Sequence, residues 1–227
     1  MVPSAPTNLV KNQALVTRTQ ASFSWTPGTS GGAFIIDYKV SFDQSTGIWV
    51  DLAQNIIGTT YTATGLTQGT EYSFKVQARN SVGFSSLSDP ITILTAIVPA
   101  APAAPTTQVV ANSIKISWTA PSSDSFSAYG ASITAYTVQI QASNGFSYFT
   151  SLADCNGAAS SVVTSTTCQI PISVLLGSPF MLNLQSSVFA QVAAINIVGS
   201  SSFSSAGNGA VISVSYPPDA PLNLARN

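Results

Sequence analysis

The sequence predicts an all-β chain that folds into two tandem antiparallel β-sandwiches. Apolar and polar residues alternate with a period of two along almost the whole chain, and no helix-length stretch repeats with a period of 3.6. Turn signals such as Pro27-Gly28, Asn144-Gly145 and Asn156-Gly157 separate the predicted strands. Many short strands divided by such turns are typical of sandwiches rather than of helical or mixed folds.

A proline-rich segment divides the chain into two parts. Residues 98–105 read VPAAPAAP, and a proline at every third position favours a stiff, extended conformation. We therefore expect a first domain at 1–97, a linker at 98–105, a second domain at 106–216 and a separate segment at 217–227. A chain of 227 residues has room for two domains of about 100 residues.

The two predicted domains repeat the same motifs in the same order. In the first, Trp25 lies in SFSWTP, Tyr38 lies in IIDYKVSF, and residues 71–83 read EYSFKVQARNSVG. In the second, Trp118 lies in KISWTAP, Tyr136 lies in ITAYTVQI, and residues 188–199 read VFAQVAAINIVG. An early Trp, a Tyr on the next long strand and an alternating strand that ends in Asn-x-Val-Gly therefore occur twice.

This order of motifs resembles a tandem pair of fibronectin type III domains. The resemblance implies seven-stranded sandwiches, with Leu66 and Tyr72 standing where the family has its leucine and its tyrosine corner. The second domain departs from the pattern because Val188 stands at the position of Tyr72. The core positions that follow are Trp25, Tyr38, Tyr72, Trp118 and Tyr136. A fold of this kind hosts many functions and does not choose among them.

The chain has two cysteines, Cys155 and Cys168. Two thiolates with no histidine anywhere in the chain would leave a zinc ion half coordinated, so a disulfide is the better interpretation. A disulfide implies an oxidising environment, and we therefore expect an extracellular or cell-surface protein.

Charged residues are scarce. Asp, Glu, Lys and Arg make up 7% of the chain, against about 25% in an ordinary domain, and the net charge is -1. Such a chain has no basic patch for nucleic acid, and no apolar run is long enough to insert in a membrane. Because low net charge removes repulsion between copies, we expect contacts with copies of the chain or with flanking repeats, or cover by O-linked glycans.

No arrangement of residues indicates catalysis or a metal. A nucleophilic triad lacks its usual base because the chain has no histidine, and the few acidic residues share no motif. The chain has no glycine-rich loop for phosphate, and the linker has no acidic residue for an interdomain calcium site. We therefore expect a non-enzymatic protein without catalytic residues, cofactor or metal site.

The outward strand positions of the two domains differ in charge. Side chains alternate between the faces of a strand, so the positions next to the inward Trp and Tyr residues point outward. In the first domain these are Asp37, Lys39, Ser73, Lys75, Gln77 and Arg79. In the second they are Ala135, Thr137, Phe189, Gln191, Ala193 and Ile195. An uncharged, partly apolar face is typical of an interface, so we expect the second set, apart from Gln191, to contact a neighbour.

The connection between Cys168 and Val188 is long and apolar. It contains PISVLLGSPFMLNL, which is too apolar for a solvated loop. Two alternatives are open. The connection caps its own sandwich in place of the missing tyrosine corner, or it docks on a neighbour through Leu176, Phe180 and Met181.

The end of the chain repeats its beginning. Residues 216–227 read YPPDAPLNLARN and residues 1–12 read MVPSAPTNLVKN, so that Pro218, Pro221 and Leu224 match Pro3, Pro6 and Leu9. The segment resembles the first strand of a further domain. We expect it either to continue an array or to engage a neighbouring protomer, with contacts through Pro218, Pro221, Leu222 and Leu224.

These observations favour a non-enzymatic extracellular structural protein, a repeating unit of a filament, surface coat or adhesive stalk. A first alternative is a ligand-binding ectodomain or adhesin module that recognises protein or carbohydrate through loop aromatics. Those aromatics would be Trp49, Phe126, Tyr129, Phe146 and Tyr148. A second alternative is a pair of accessory domains of a secreted polysaccharide-degrading enzyme whose catalytic domain lies elsewhere.

Overall fold

A computed structural model of the chain describes residues 1–122 and 125–213. Among these, residues 1–98 and 125–132 form a first compact unit, and residues 99–122 and 133–213 form a second. Residues 125–132, expected inside the second domain, group with the first unit because the N–H of Ile97 donates to the carbonyl of Tyr129 at 2.8 Å. The predicted segment at 217–227 lies outside the described residues.

The first unit is a sandwich of two antiparallel sheets. Its strands are β1 (Thr7–Lys11), β2 (Gln20–Thr26), β3 (Asp37–Phe42), β4 (Val50–Ile56), β5 (Thr60–Thr64), β6 (Glu71–Arg79) and β7 (Ile91–Leu94). The order is β1-β2-β5 in one sheet and β4-β3-β6-β7 in the other. A short 3-10 turn over Gln13–Leu15 and a five-residue helix α1 (Ser125–Tyr129) complete the described elements of this unit.

Alternation buries one face of each sheet in the core of the first unit. Along β6, every second residue is buried, and from Ser73 onward the residues between them are half-buried. Trp25 and Tyr38 are both buried, and their rings meet edge to face at 5.2 Å between centroids. The hydroxyl of the buried Tyr72 accepts a hydrogen bond from the N–H of Thr67 at 3.1 Å, which makes the tyrosine corner.

The second unit repeats this arrangement with shorter outer strands. Its strands are β8 (Thr106–Val110), β9 (Ser113–Ser117), β10 (Ala135–Gln141), β11 (Tyr148–Phe149), β12 (Thr167–Pro171), β13 (Ser187–Val188), β14 (Ala190–Asn196), β15 (Gly199–Ser200) and β16 (Ala210–Val211). The sheet orders are β12-β9-β8 and β11-β10-β14-β15, and β13 pairs with β16. Two short helices, α2 (Ser160–Ser165) and α3 (Ile172–Leu176), lie in its connections.

The core of the second unit contains the same aromatic pair and a disulfide. Trp118 and Tyr136 are buried and meet edge to face at 5.2 Å, as their counterparts do in the first unit. The predicted disulfide between Cys155 and Cys168 is confirmed, with 5.3 Å between the Cα atoms. Both cysteines are buried, so the bridge joins the connection after β11 to β12 inside the core.

The apolar connection after β12 caps its own sandwich. Phe180 is 1% exposed, so its predicted contact with a neighbour is wrong: the ring fills the core of the unit that lacks a tyrosine corner. Leu176 and Met181 lie on the same connection and are exposed. Four apolar side chains of the connection are buried in this core: Ile172, Leu175, Phe180 and Leu182.

The turn after the long alternating strand has the same geometry in both units. The side-chain oxygens of Asn80 and Asn196 each accept hydrogen bonds from the N–H groups two and three residues further on, at 2.9 and 3.2 Å. Asn favours such turns because its side chain can bond to nearby backbone.

The predicted all-β class of two tandem sandwiches is confirmed. Within the described residues, no helix has the length and apolar character needed to cross a bilayer.

Candidate interaction surface

The outer face of the four-stranded sheet in the first unit carries paired charges. Arg79 Nε donates to Asp37 Oδ1 at 2.9 Å, and this bonding raises the pKa of Arg79. Lys39 Nζ lies 3.4 Å from Asp51 Oδ1. Alternation predicts an outward position for Asp37, but the residue is buried. Its carboxylate is paired with the guanidinium of Arg79, which neutralises its charge.

Two aromatic rings on the same face contact its cations. Lys75 Nζ lies 4.1 Å from the ring centroid of Trp49. The ring of Phe84 receives Lys39 Nζ at 4.8 Å and the guanidinium of Arg79 at 5.4 Å. Such cation–π contacts hold the rings beneath charged groups. The charged groups of this face are therefore paired with one another or with aromatic rings.

The corresponding face of the second unit has no charge on β10 or β14. In the antiparallel register, Ala135 stands opposite Ile195 and Gln139 stands opposite Gln191. The amide of Gln191 donates to Gln139 Oε1 at 2.9 Å, so the only polar cross-strand contact described between these strands' side chains is between neutral groups. Ala135, Thr137 and Ile195 are half-buried.

Ala193 does not reach this surface. It stands opposite Thr137 and is 0% exposed, so its predicted role as a contact residue is wrong. Its strand is central: the N–H groups of Ser201 and Ser204 donate to the carbonyls of Ala194 and Val192 at 2.8 and 2.9 Å. A methyl side chain between two covered strand edges is too short to emerge above its neighbours.

A groove of about 210 Å³ opens beside this face at the edge of β10. β4 borders β3 from Tyr38 to Phe42 in the first unit, whereas β11 pairs only with Ile140 and Gln141 in the second. The chain then leaves the edge and returns at Gly157, whose carbonyl accepts from the N–H of Tyr136 at 2.9 Å. The groove is lined by Ala135, Tyr136, Thr137, Val138, Thr150, Leu152, Cys155, Asn156, Gly157, Ala158 and Ile195.

Leu152 gives the rim of this groove its apolar character. Leu152 is 69% exposed, while Ile195, which also lines the groove, is half-buried. The disulfide at Cys155 holds the segment that carries Leu152. Sequence reasoning missed Leu152 because it lies in a connection of small and polar residues outside any alternating pattern. The Asn156-Gly157 turn was the one available signal that the chain reverses there.

The remaining predicted contact residues are dispersed. The ring of Phe189 packs over Gly209, where a Cβ atom would lie 2.6 Å from Phe189 Cε1, so Phe189 covers backbone as well as facing outward. Leu176 and Met181 are exposed on the connection that caps the core. The structure does not bring them to the groove, whose lining they do not share. Pro218, Pro221, Leu222 and Leu224 lie outside the described residues.

The loop aromatics differ in their surroundings within each unit. Trp49 stacks with Lys75 on the sheet face, and Tyr129 is buried in the first unit. Phe146 is 89% exposed on the turn after β10, and Tyr148 lies on β11. The described contacts join none of these rings to another.

Several aspartates serve as hydrogen-bond acceptors within the fold. Asp43 Oδ1 accepts from the N–H groups of Ser45 and Ser73 at 3.0 and 2.9 Å, and Asp154 accepts from the Ser151 hydroxyl at 2.7 Å. In the part of the chain that the structure describes, no group of three or more His, Cys, Asp or Glu side chains could hold a metal ion.

Known proteins match parts of the chain. Protein sidekick of Drosophila melanogaster is 30% identical over 125 residues, which are 52% of this chain and 6% of that protein. Chitinase A1 of Niallia circulans is 33% identical over 52% of this chain and 17% of that enzyme. Endoglucanase B of Cellulomonas fimi is 38% identical over 46% of this chain and 10% of that enzyme. The chain thus spans a small part of each of these relatives.

The chain was also compared with solved structures and with family models. The FN1–FN3 domains of chicken CNTN1 match 96% of this chain and 70% of their own, with 16% identity and a TM-score of 0.38. The family model for the fibronectin type III domain matches residues 4–94. Residues 4–94 thus match the fibronectin type III domain, and the chain joins them to a second β-sandwich of corresponding strand order.

Proposed function

We propose that the chain is a non-enzymatic structural module of an extracellular protein, the repeating unit of a filament, surface coat or adhesive stalk. The observation that carries this proposal is the difference between the two outer sheet faces. The first unit covers its face with paired charges, whereas the second presents uncharged strands beside an apolar groove. We assign the second face to contacts with another copy of the chain.

The contact rests on the groove between Leu152 and Ile195. In the free chain, the exposed Leu152 and the half-buried Ile195 present apolar area to water. Association removes this area from solvent and is therefore favourable. The neutral Gln139–Gln191 pair leaves no charge to be desolvated. A net charge of -1 gives little repulsion between copies.

Two further observations support the extracellular and non-enzymatic parts of the proposal. The buried Cys155–Cys168 disulfide is the kind of bond that persists in oxidising compartments. Asp37, Asp43 and Asp154 are engaged in ion pairs or hydrogen bonds inside the fold, so their carboxylates have structural partners rather than open catalytic positions.

Lysine substitutions on the groove test the proposal. In Leu152→Lys and Ile195→Lys, a charge at the contact should abolish the concentration-dependent rise in molar mass measured by light scattering. Ile57→Lys is the matched control, because Ile57 is 91% exposed on the first unit and does not line the groove. Circular dichroism checks that each variant is folded. Association that persists in both groove variants, or is lost equally in the control, would refute this contact.

A second candidate function is supported by the bacterial relatives. Besides the chitinase and the endoglucanase, Exoglucanase B of Cellulomonas fimi is 31% identical over 147 residues. In this alternative, the chain is an accessory pair of domains in a polysaccharide-degrading enzyme. Co-sedimentation with insoluble chitin and cellulose distinguishes the two candidates. Retention on a polysaccharide by a monomeric chain would favour the accessory domain, and association without retention would favour the structural module.

A further inference from the structure

Two Asn-Gly pairs lie at turns of the second unit, and their hydrogen bonding differs. Asn144-Gly145 follows β10, and Asn156-Gly157 lies where the chain returns to the edge of β10. Both asparagines are exposed. Asparagine is a thermolabile residue, and it is most labile before glycine, which has no side chain to shield its amide nitrogen. The fold therefore holds the same reactive dipeptide in two different settings.

Hydrogen bonds close the first pair. Asn144 Oδ1 accepts from the N–H groups of Phe146 and Ser147 at 3.0 and 2.9 Å, and Asn144 Nδ2 donates to Ser147 Oγ at 2.9 Å. The N–H of Gly145 donates to the carbonyl of Ala142 at 3.0 Å. The side-chain amide and the amide nitrogen that follows it are both engaged, so a reaction between them would have to break bonds on both.

The second pair is open. Asn156 Oδ1 accepts one hydrogen bond, from the N–H of Ala158 at 3.1 Å. Among residues 1–122 and 125–213, neither Asn156 Nδ2 nor the N–H of Gly157 has a hydrogen-bond partner. The N–H of Ala158 contacts the oxygen on which negative charge develops when a nucleophile adds to the side-chain amide. The pair therefore has a free nucleophile, a free leaving group and a donor for the intermediate.

The structure requires glycine at position 157. A Cβ atom there would overlap the carbonyl oxygen of Tyr136, whose N–H donates to the carbonyl of Gly157 at 2.9 Å. This close backbone approach excludes a larger residue that would shield the amide nitrogen. Asn156 itself lines the groove together with Leu152 and Ile195. The reactive pair and the proposed contact thus occupy the same surface.

We propose that Asn156 is a site of spontaneous deamidation, which places a carboxylate in the groove. The amide nitrogen of Gly157 loses its proton to solvent and attacks Cγ of Asn156. The bond from Cγ to Nδ2 then breaks, and the side-chain nitrogen takes up a proton and leaves as ammonia. Water opens the resulting cyclic imide at either carbonyl, which gives aspartate or β-linked isoaspartate. The overall reaction consumes one water and releases one ammonia.

Both products should weaken association through the groove, a consequence that rests on the proposed function. A carboxylate at position 156 loses its hydration when a second copy covers it, and no lysine or arginine is among the described residues that line the groove. Isoaspartate also adds one carbon to the backbone between Cys155 and Gly157, which are held by the disulfide and by the bond to Tyr136. The segment that carries Leu152 must then shift.

Peptide mapping by mass spectrometry of the full chain, aged at mildly alkaline pH, tests the chemistry. In the folded chain we expect Asn156 to be converted roughly tenfold faster than Asn144 or more, because the Asn144-Gly145 pair must first break its hydrogen bonds. In guanidinium chloride with a reductant, the two asparagines should react at comparable rates, because both precede glycine. Conversion of Asn144 as fast as Asn156 in the folded chain, or an Asn156 that stays unchanged, would overturn the site.

Light scattering of fresh and aged chains tests the consequence. Aged chain should associate at least about tenfold more weakly than fresh chain. Asn156→Ser, which has no amide to lose there, should associate equally before and after ageing, whereas the matched control Asn144→Ser should lose association as the unmodified chain does.

The two parts of the inference fail separately. Fully converted chain that associates as strongly as fresh chain would overturn the effect on the groove. Fresh chain that stays monomeric, while Asn156 is still converted, would refute the proposed function and leave the modification site standing.

Discussion

The disulfide between Cys155 and Cys168 fixes one wall of the candidate contact surface, and its removal gives a quantitative prediction. The bond joins residues 13 positions apart and ties the segment lining the groove to β12. In the chain-entropy treatment, a closed loop of this size stabilises the folded state by about 3 kcal/mol. Both cysteines are buried, so substitution also removes packed atoms from the core.

This free energy converts to a large change in the thermal transition of the second unit. For a domain of this size, about 1 kcal/mol lowers the Tm by roughly 4–8 °C, so loss of the bridge should lower it by about 12–24 °C. The first unit contains no cysteine and should keep its transition. Because the bridge holds the chain that carries Leu152, we also expect weaker association between copies.

Scanning calorimetry of the full chain with and without a reducing agent measures both transitions in one experiment. The Cys155→Ala/Cys168→Ala chain gives the same comparison without reductant. Unmodified chain that is reduced and then reoxidised should recover the original transition of its second unit. A shift of less than about 4 °C in the second unit would refute the reasoning, because the bridge would then contribute less than about 1 kcal/mol. An equal shift in the first unit would refute its independence.

Three further predictions concern the stability of the units. Tyr72→Phe leaves the N–H of Thr67 without its acceptor and should destabilise the first unit by about 1–2 kcal/mol in urea denaturation. Gly157→Ala places a methyl group 1.8 Å from the carbonyl oxygen of Tyr136, so the Tm of the second unit should fall by several degrees in calorimetry. Burial raises the pKa of Tyr38 above 10.0, so the folded state keeps a proton that the unfolded chain releases there. Urea denaturation should therefore show stability of the first unit falling as pH rises above 10.0, with a smaller fall in Tyr38→Phe.

Each of these predictions has its own control. The second unit has Val188 in place of a tyrosine corner, so an equal loss of its stability in Tyr72→Phe would point to a global effect. Gly177→Ala is the match for Gly157→Ala, since its added atom would meet only an ordinary 3.5 Å contact, and equal destabilisation would contradict the steric argument. A flat alkaline profile, or an identical slope after Tyr38→Phe, would show that Tyr38 does not govern the pH dependence.

Most of the fold could be predicted from the period-two alternation of apolar and polar residues. Alternation around Trp25, Tyr38 and their counterparts placed the long strands, because a half-buried strand must separate apolar and polar side chains at every second position. Isolation of the two cysteines in a chain without histidine was enough to predict their bond. The short helices α2 and α3 have five or six residues, too few to produce a helical period in the sequence.

The candidate surface was less predictable because it depends on how the connections close over the sheet. Alternation predicted that Ala193 points outward, but it could not predict that the chain borders its strand on both sides. These neighbouring segments leave Ala193 buried. The sequence left open whether the connection with Phe180 caps its own sandwich or docks on a neighbour, and the structure places Phe180 in the core of the second unit. Leu152 belongs to no periodic segment, and the disulfide and the return of the chain at Gly157 place it in the lining of the groove that Ile195 shares.

Sedimentation velocity of the unmodified chain over a wide range of concentrations, beside Ile195→Lys, tests the central claim most directly. The account predicts that the weight-average sedimentation coefficient of the unmodified chain rises with concentration, while that of the variant stays at the monomer value. A chain that sediments as a monomer at every concentration, or a variant that associates as strongly as the unmodified chain, would contradict it.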